Sequence, residues 1–327
     1  MTTRSKLRWP ALAALALAAL ALVAAACKGN DGGSSDDGRV CDFRESVALG
    51  EGDLFPVLNN SSLAVGDNRL SLAFFDESDA AVLDADVSLR ICDLTGEEPV
   101  LASEAEARYL PVELFYIDEA SGQEKRIVAN AGVYVTNVSF DKAGDWGLEA
   151  TLAIDGEETD LIPFQFTVLE ESPEPAVADP APPSEQVLLS EVDDISEIDS
   201  SFPPHPEMHG ITVADALELG EPIVLFIGTP AFCESRTCGP VMETVMDPLY
   251  DEYSENVTFI HVEPFQLKEL REGTARIPVQ TTEDWGLRSE PWIFVIDSEG
   301  LVAGKFEGVT GLDEVRTVVE ETLGAGA

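Results

Sequence analysis

Cys233 and Cys238 are four residues apart, at the point where an apolar run from Pro222 to Phe226 gives way to a helical pattern starting near Pro240. A thiol at a helix N-terminus meets free N–H groups and the positive end of the helix dipole, and both favour the thiolate. Two thiols this close suit reversible dithiol–disulfide chemistry. A plain structural staple is the competing reading. Gly239 and Pro240 follow the second cysteine, and Arg236 lies between the two, where its cation would stabilise a thiolate.

The flanking elements are legible from periodicity. Thr212 caps a short helix to Leu219, Pro222–Gly228 is a buried strand, and the helix to Tyr253 puts Val241, Val245 and Leu249 on one face. Strands follow at 256–262, 291–296 and 301–306, the last two joined by the turn at Asp297 to Gly300. A short helix and an irregular insertion occupy 266–287, and an amphipathic helix over 311–323 closes the chain with Val315, Val318, Val319 and Leu323 facing in.

The amino-terminal half reads differently. Segments 70–75, 85–92, 132–140, 146–154 and 161–168 alternate with a period near two and are separated by turn signals, which suggests an antiparallel β-sandwich. This domain has no His and no Met, which argues against a copper site within it. Between the halves, 171–188 is rich in proline and acid and reads as an extended, semi-rigid linker. The expected organisation is an export segment over 1–27, a Gly/Ser/Asp tether over 28–40, an all-β sandwich over 41–170, the linker, and an α/β domain over 189–327.

The chain has 327 residues, of which 62 are acidic and 19 basic, for a net charge of -43. That charge excludes a phosphate-neutralising, nucleic-acid-binding surface and electrostatic docking on anionic lipid. The five cysteines partition without remainder if Cys27 is lipidated, Cys41 pairs with Cys92, and Cys233 pairs with Cys238, which implies an oxidising compartment. No Cys/His cluster has zinc spacing, so no metal ligand and no cofactor is assigned.

Arg4, Lys6 and Arg8 precede an apolar run from Ala11 to Ala26 that is short for a membrane span. Its end, Leu22-Val-Ala-Ala-Ala-Cys27, resembles a bacterial lipobox, which implies a lipid on Cys27 and a site at the extracytoplasmic face of the cell membrane. Gly132–Asp155 resembles the last strands of immunoglobulin-like domains in bacterial envelope proteins, including the YtkA-like group, and implies a spacer or partner-docking module.

The order β-α-β then β-β-α over roughly 207–325 is the thioredoxin arrangement. The run from Trp285 through Glu290-Pro291 and Asp297-Ser-Glu-Gly300 to Gly308 resembles the TlpA/ResA branch of thioredoxin-like proteins. That resemblance implies that Pro291 is a cis-proline beside the cysteines. It also places Glu290 next to them, where a carboxylate would raise a thiol pKa and could relay a proton. The buried Asp of thioredoxin falls at Leu225 here, and Cys-x4-Cys departs from the family's Cys-Gly-Pro-Cys.

Two registrations fit. One aligns Cys238-Gly-Pro with the family motif, and the other aligns Phe232-Cys233 with its Trp-Cys. The helix-terminal position of Cys238 favours it as the attacking thiol, with Cys233 resolving. The implied function is a membrane-tethered thiol–disulfide oxidoreductase acting on extracytoplasmic protein dithiols and disulfides and served by a membrane electron donor. The alternatives are a Sco-like copper protein, drawing on His205, Met208, His209 and His261 with the two cysteines, and a non-catalytic thioredoxin-fold binding protein.

Overall fold

The computed structural model describes residues 41, 43, 54–118, 123–160 and 163–325. The export segment, Cys27 and the tether lie outside the described residues. Residues 40–327 form one compact unit. It is sheet-rich and contains two sheets of eight and four strands.

The larger sheet contains β1 (Phe55–Leu58), β2 (Gly66–Phe75), β3 (Asp86–Asp93), β4 (Val100–Asp118), β5 (Gln123–Phe140), β6 (Gly144–Ile154), β7 (Glu157–Asp160) and β8 (Phe164–Val168). Its order is β1-β2-β5-β4-β3-β6-β7, with β8 also on β6, so the strands form one hydrogen-bonded sheet rather than the two layers of the expected sandwich. The sheet curls, so that Leu70, Leu72 and Phe74 of β2 share a core with Leu89 and Ile91 of β3, Tyr134 of β5, and Trp146 and Leu148 of β6. Inward and outward positions alternate along β3, as a half-buried strand requires.

The sequence reading assigned no strand to 100–118. Ala, Glu and Leu are good helix formers, but β4 is held by its pairing, with β3 over 100–107 and with β5 over 108–118. Cys41 and Cys92 are joined as expected, with Cα atoms 5.8 Å apart.

The smaller sheet runs β10-β9-β11-β12, built from β9 (Ile223–Ile227), β10 (Thr258–Val262), β11 (Trp292–Ile296) and β12 (Val302–Glu307). β9 and β10 are parallel, β11 is antiparallel to β9, and β12 is antiparallel to β11. Every residue of β9 and of β11 is buried, because apolar clusters cover both faces of the sheet. On one face lie α2 (Cys238–Val241), α3 (Asp247–Tyr253) and α6 (Leu312–Ala325). On the other lie α1 (Val213–Leu219) and Trp285. The short helices α4 (Leu267–Arg271) and α5 (Gln280–Asp284) complete the set. A π turn, Met242–Met246, joins α2 to α3 immediately before Pro248, whose ring cannot enter a regular helical hydrogen-bond ladder.

Residues 171–188 are not the extended linker expected: the chain bends and turns over 171–179, with Ala178 at φ +73, and does not hang free between the halves. Ala178 N–H donates to the Val302 carbonyl at 2.8 Å, Val302 N–H to Asp179 at 2.9 Å, and Ala181 N–H to Gly300 at 2.9 Å, so the segment covers the edge of β12. Glu174 is buried on Lys305 at 3.0 Å and accepts from the Ser62 hydroxyl at 2.9 Å. Gly286, at φ +63, leaves room for this segment, since a Cβ there would come within 2.0 Å of the Pro173 carbonyl oxygen.

Candidate functional site

β9 ends at Ile227, and the chain passes Gly228 and turns through Thr229–Thr237 before re-entering as α2. Gly228 is required by close approach, because a Cβ there would meet the Phe226 ring at 2.6 Å and Pro291 at 3.1 Å. Pro291 therefore stands against the cysteine turn, and the Glu290–Pro291 peptide is cis. Cys233 and Cys238 are joined, with Cα atoms 5.9 Å apart. Gly239 and Pro240 are buried in the first turn of α2, where the missing N–H of proline carries no penalty.

The two sulfurs have unequal surroundings. Cys238 is fully buried and Cys233 is 8% exposed. The backbone N–H of Cys238, at the start of α2, donates to Cys233 Sγ at 3.3 Å. The Ser235 hydroxyl stands 3.2 Å from the same sulfur and 2.7 Å from that of Thr237. One donor of the helix start, the Cys238 N–H, thus reaches Cys233 rather than Cys238. Arg236 is exposed at φ +61, and its backbone N–H closes the turn on the Cys233 carbonyl at 3.1 Å.

Glu290 is the carboxylate grouped with both sulfurs, its oxygen and the two Sγ atoms lying within 4.8 Å of one another. It accepts the Thr229 N–H at 3.0 Å and the Arg276 guanidinium at 3.0 Å. Burial pushes its carboxyl up to about 7, against the lowering effect of Arg276. Arg276 also bonds the Phe232 carbonyl and reaches Glu234 at 3.2 Å, so it ties the cysteine turn to the residue before Pro291. The sequence reading left Arg276 in an irregular insertion, because nothing local marks the residue that a fold will bring to a distant turn.

A second polar cluster lies behind this turn. His209 Nε2 is 3.2 Å from Asp199 Oδ2, and His261 Nδ1 is 3.7 Å from Asp199 Oδ1. His261 Nε2 donates to the Gly228 carbonyl at 2.9 Å. Glu263, two residues on, accepts the Ser200 N–H at 2.7 Å. Burial alone would raise the Asp199 carboxyl, but the imidazoles of His209 and His261 hold it well below the usual carboxylate range. Burial opposes the charge on His261, yet Asp199 pushes it up to about 9, while burial pushes Glu263 up to about 7. Among the described residues, three groups bring His, Cys, Asp or Glu donors within 4.8 Å of one another. Two of them include the sulfurs of a disulfide, which are not thiolate ligands. The third is Asp199, His209 and His261.

The copper alternative needs a histidine beside the cysteines. The fold instead groups His209 and His261 with Asp199, and turns His205 toward Asp247 at 2.9 Å.

Among the described residues no helix is long and apolar enough to cross a membrane. Comparison with protein-family models finds no match, and neither does comparison with curated proteins.

Proposed function

We propose that the chain is an extracytoplasmic thiol–disulfide oxidoreductase, with an amino-terminal all-β module (41–170) preceding a thioredoxin-like α/β domain (189–327). In this reading Cys27 carries the lipid anchor, the partners are exported protein dithiols and disulfides, and a membrane electron donor resets the site. The observation that carries the reading is the Cys233–Cys238 pair at the start of α2, with Pro291 on one side and the buried Glu290 within 4.8 Å of the sulfurs.

Reduction of a partner proceeds as two exchanges. The Cys233 thiolate attacks one sulfur of the partner's disulfide, the S–S bond breaks, and the released partner thiolate takes a proton. Glu290 then accepts the proton of the Cys238 thiol, and the new thiolate attacks Cys233 Sγ. The mixed disulfide breaks, the Cys233–Cys238 bond forms, and the second partner thiolate takes a proton. Two electrons pass to the partner, with one proton from Cys238 released again by Glu290 and one from solvent.

The sequence reading favoured Cys238 as the attacking thiol. The geometry favours Cys233, because it is the more exposed sulfur and the one toward which Cys238 N–H and Ser235 point. A base near neutrality at Glu290 suits the second step.

The midpoint potential of the pair tests the reading. A potential above about -300 mV, with disulfide exchange lost in both single Cys→Ser variants, supports it. A lower potential with no exchange would make the pair a structural staple and leave a binding protein.

A further inference from the structure

Asp199, His209 and His261 are buried together at 2%, 2% and 0% exposure. Asp199 and His261 are held by backbone groups, and His209 Nε2 rests on Asp199 Oδ2 at 3.2 Å. Asp199 Oδ1 accepts the Ser201 N–H at 2.7 Å, and Oδ2 accepts the His205 N–H at 2.8 Å. These bonds fix the carboxylate and leave lone pairs toward the imidazoles. His261 commits Nε2 to the Gly228 carbonyl, the outer-shell bond that sets a metal-binding histidine's orientation and leaves the other nitrogen as ligand. That other nitrogen, Nδ1, is fully buried and has no hydrogen-bond partner. A buried polar atom left unpaired is costly unless something occupies its lone pair.

The spacing fits an ion. Ligand atoms about 2.1 Å from a tetrahedral zinc stand roughly 3.4 Å apart. The observed separations are 3.2 Å from Asp199 Oδ2 to His209 Nε2, a hydrogen bond that a shared ion would replace, and 3.7 Å from Asp199 Oδ1 to His261 Nδ1, and one ligand atom from each of the three residues lies within 4.8 Å of the others. Glu263, 3.9 Å from His261 Nε2, brings a second carboxyl beside the cluster.

We propose that Asp199, His209 and His261 form a binding site for a first-row divalent cation of the zinc class, separate from the cysteine pair. Two imidazoles and one carboxylate supply three ligands, with the fourth position taken by water or by a neighbouring oxygen. The site would fasten the segment around 199–209 to the end of β10. Through the Gly228 carbonyl it would also brace the peptide that opens the cysteine turn. It uses no sulfur, so it stands or falls independently of the oxidoreductase reading.

The test is metal binding by the full chain in which both Cys233 and Cys238 are serine, with Zn²⁺ and Co²⁺ as probes. The work is done in about 1 M NaCl, where a Debye length of ~3 Å suppresses loose binding to the acidic surface. The expected result is one Zn²⁺ retained through gel filtration. The Co²⁺ form should show the strong visible bands of a tetrahedral site, without a sulfur-to-cobalt band. His261→Ala and His209→Ala should each weaken binding by at least about 100-fold, more than the loss of an outer-shell partner would. X-ray absorption of the zinc-loaded wild-type chain needs no variant and should report nitrogen and oxygen neighbours without sulfur. No retained ion, an octahedral cobalt spectrum unchanged by the histidine variants, or sulfur in the first shell would each overturn the proposal.

Discussion

The backbone N–H of Cys238 points at Cys233 Sγ from 3.3 Å, so the first residue of the helix solvates the other cysteine rather than itself. A helix start lowers the pKa of whichever sulfur its free N–H groups reach. In the proposed exchange, the attacking role would follow the direction of one peptide bond, not the position of a residue along the helix.

The first prediction is kinetic. The Cys238→Ser variant should form a stable mixed disulfide with a partner peptide, because attack by Cys233 succeeds and resolution fails. Cys233→Ser should form none at a comparable rate. Mass spectrometry after quenching with acid reads both, and the opposite pattern would assign the attack to Cys238.

Glu290 yields a pH prediction with a definite sign. Its carboxyl is raised from an ordinary value of 4.5 to about 7 by burial. Between those values the folded chain holds a proton that the unfolded chain has released, so stability falls as pH rises through the window. At ~1.4 kcal/mol per pH unit the full effect is about 3 kcal/mol. Glu290→Gln should flatten this part of the pH dependence, as measured by denaturant unfolding at the two ends of the window. An unchanged slope would place the proton elsewhere.

Arg276 should act through Glu290. In Arg276→Met the carboxylate loses its guanidinium partner and the Phe232 carbonyl loses a donor, so Glu290 should titrate still higher. The expected cost in stability is about 1–3 kcal/mol, the range for a lost bond to a buried charged group. Carboxyl carbon shifts in an NMR titration would report the move directly.

The Cys41–Cys92 bond can be tested apart from the redox pair. Replacing both cysteines with alanine should cost roughly 2–4 kcal/mol, because the bond closes a loop between residues 51 positions apart. Unfolding should stay cooperative, since the Trp146 and Tyr134 core beneath Cys92 is intact. A cost near zero would mean that the segment around Cys41 adds nothing to the folded state.

What the sequence made legible was local. Val241, Val245 and Leu249 announce a helix by their spacing, and all three are buried where expected. Pro291 could be marked because its surroundings form a contiguous pattern. Asp199 could not, because it is one acid among many in an acidic stretch. Only the fold aims two backbone N–H groups and two imidazoles at it. The histidines could be named but not grouped, since the 52 positions from His209 to His261 carry no metal-site spacing. The larger sheet misled for a different reason. Period-two alternation identifies a half-buried strand but says nothing about whether its partners form one layer or two. The proline-rich stretch misled because composition predicts a free, extended linker, whereas the chain turns at Ala176–Asp179 and bonds to the edge of β12.

Glu307, at the end of β12, accepts the Ser61 N–H at 2.9 Å and also bonds the hydroxyl of Ser289, two residues before Pro291. Ser61 lies in the loop from β1 to β2, so one buried carboxylate grips both halves of the molecule just behind the proline loop. A transplant of 189–327 onto another protein would strip Glu307 of Ser61 and Lys305 of Glu174, leaving a buried acid with fewer donors and a cation without its partner. The halves are in this sense a matched pair that must be inherited together. A mechanical load on the amino-terminal half would reach Glu307 and, through Ser289, the loop that carries Pro291.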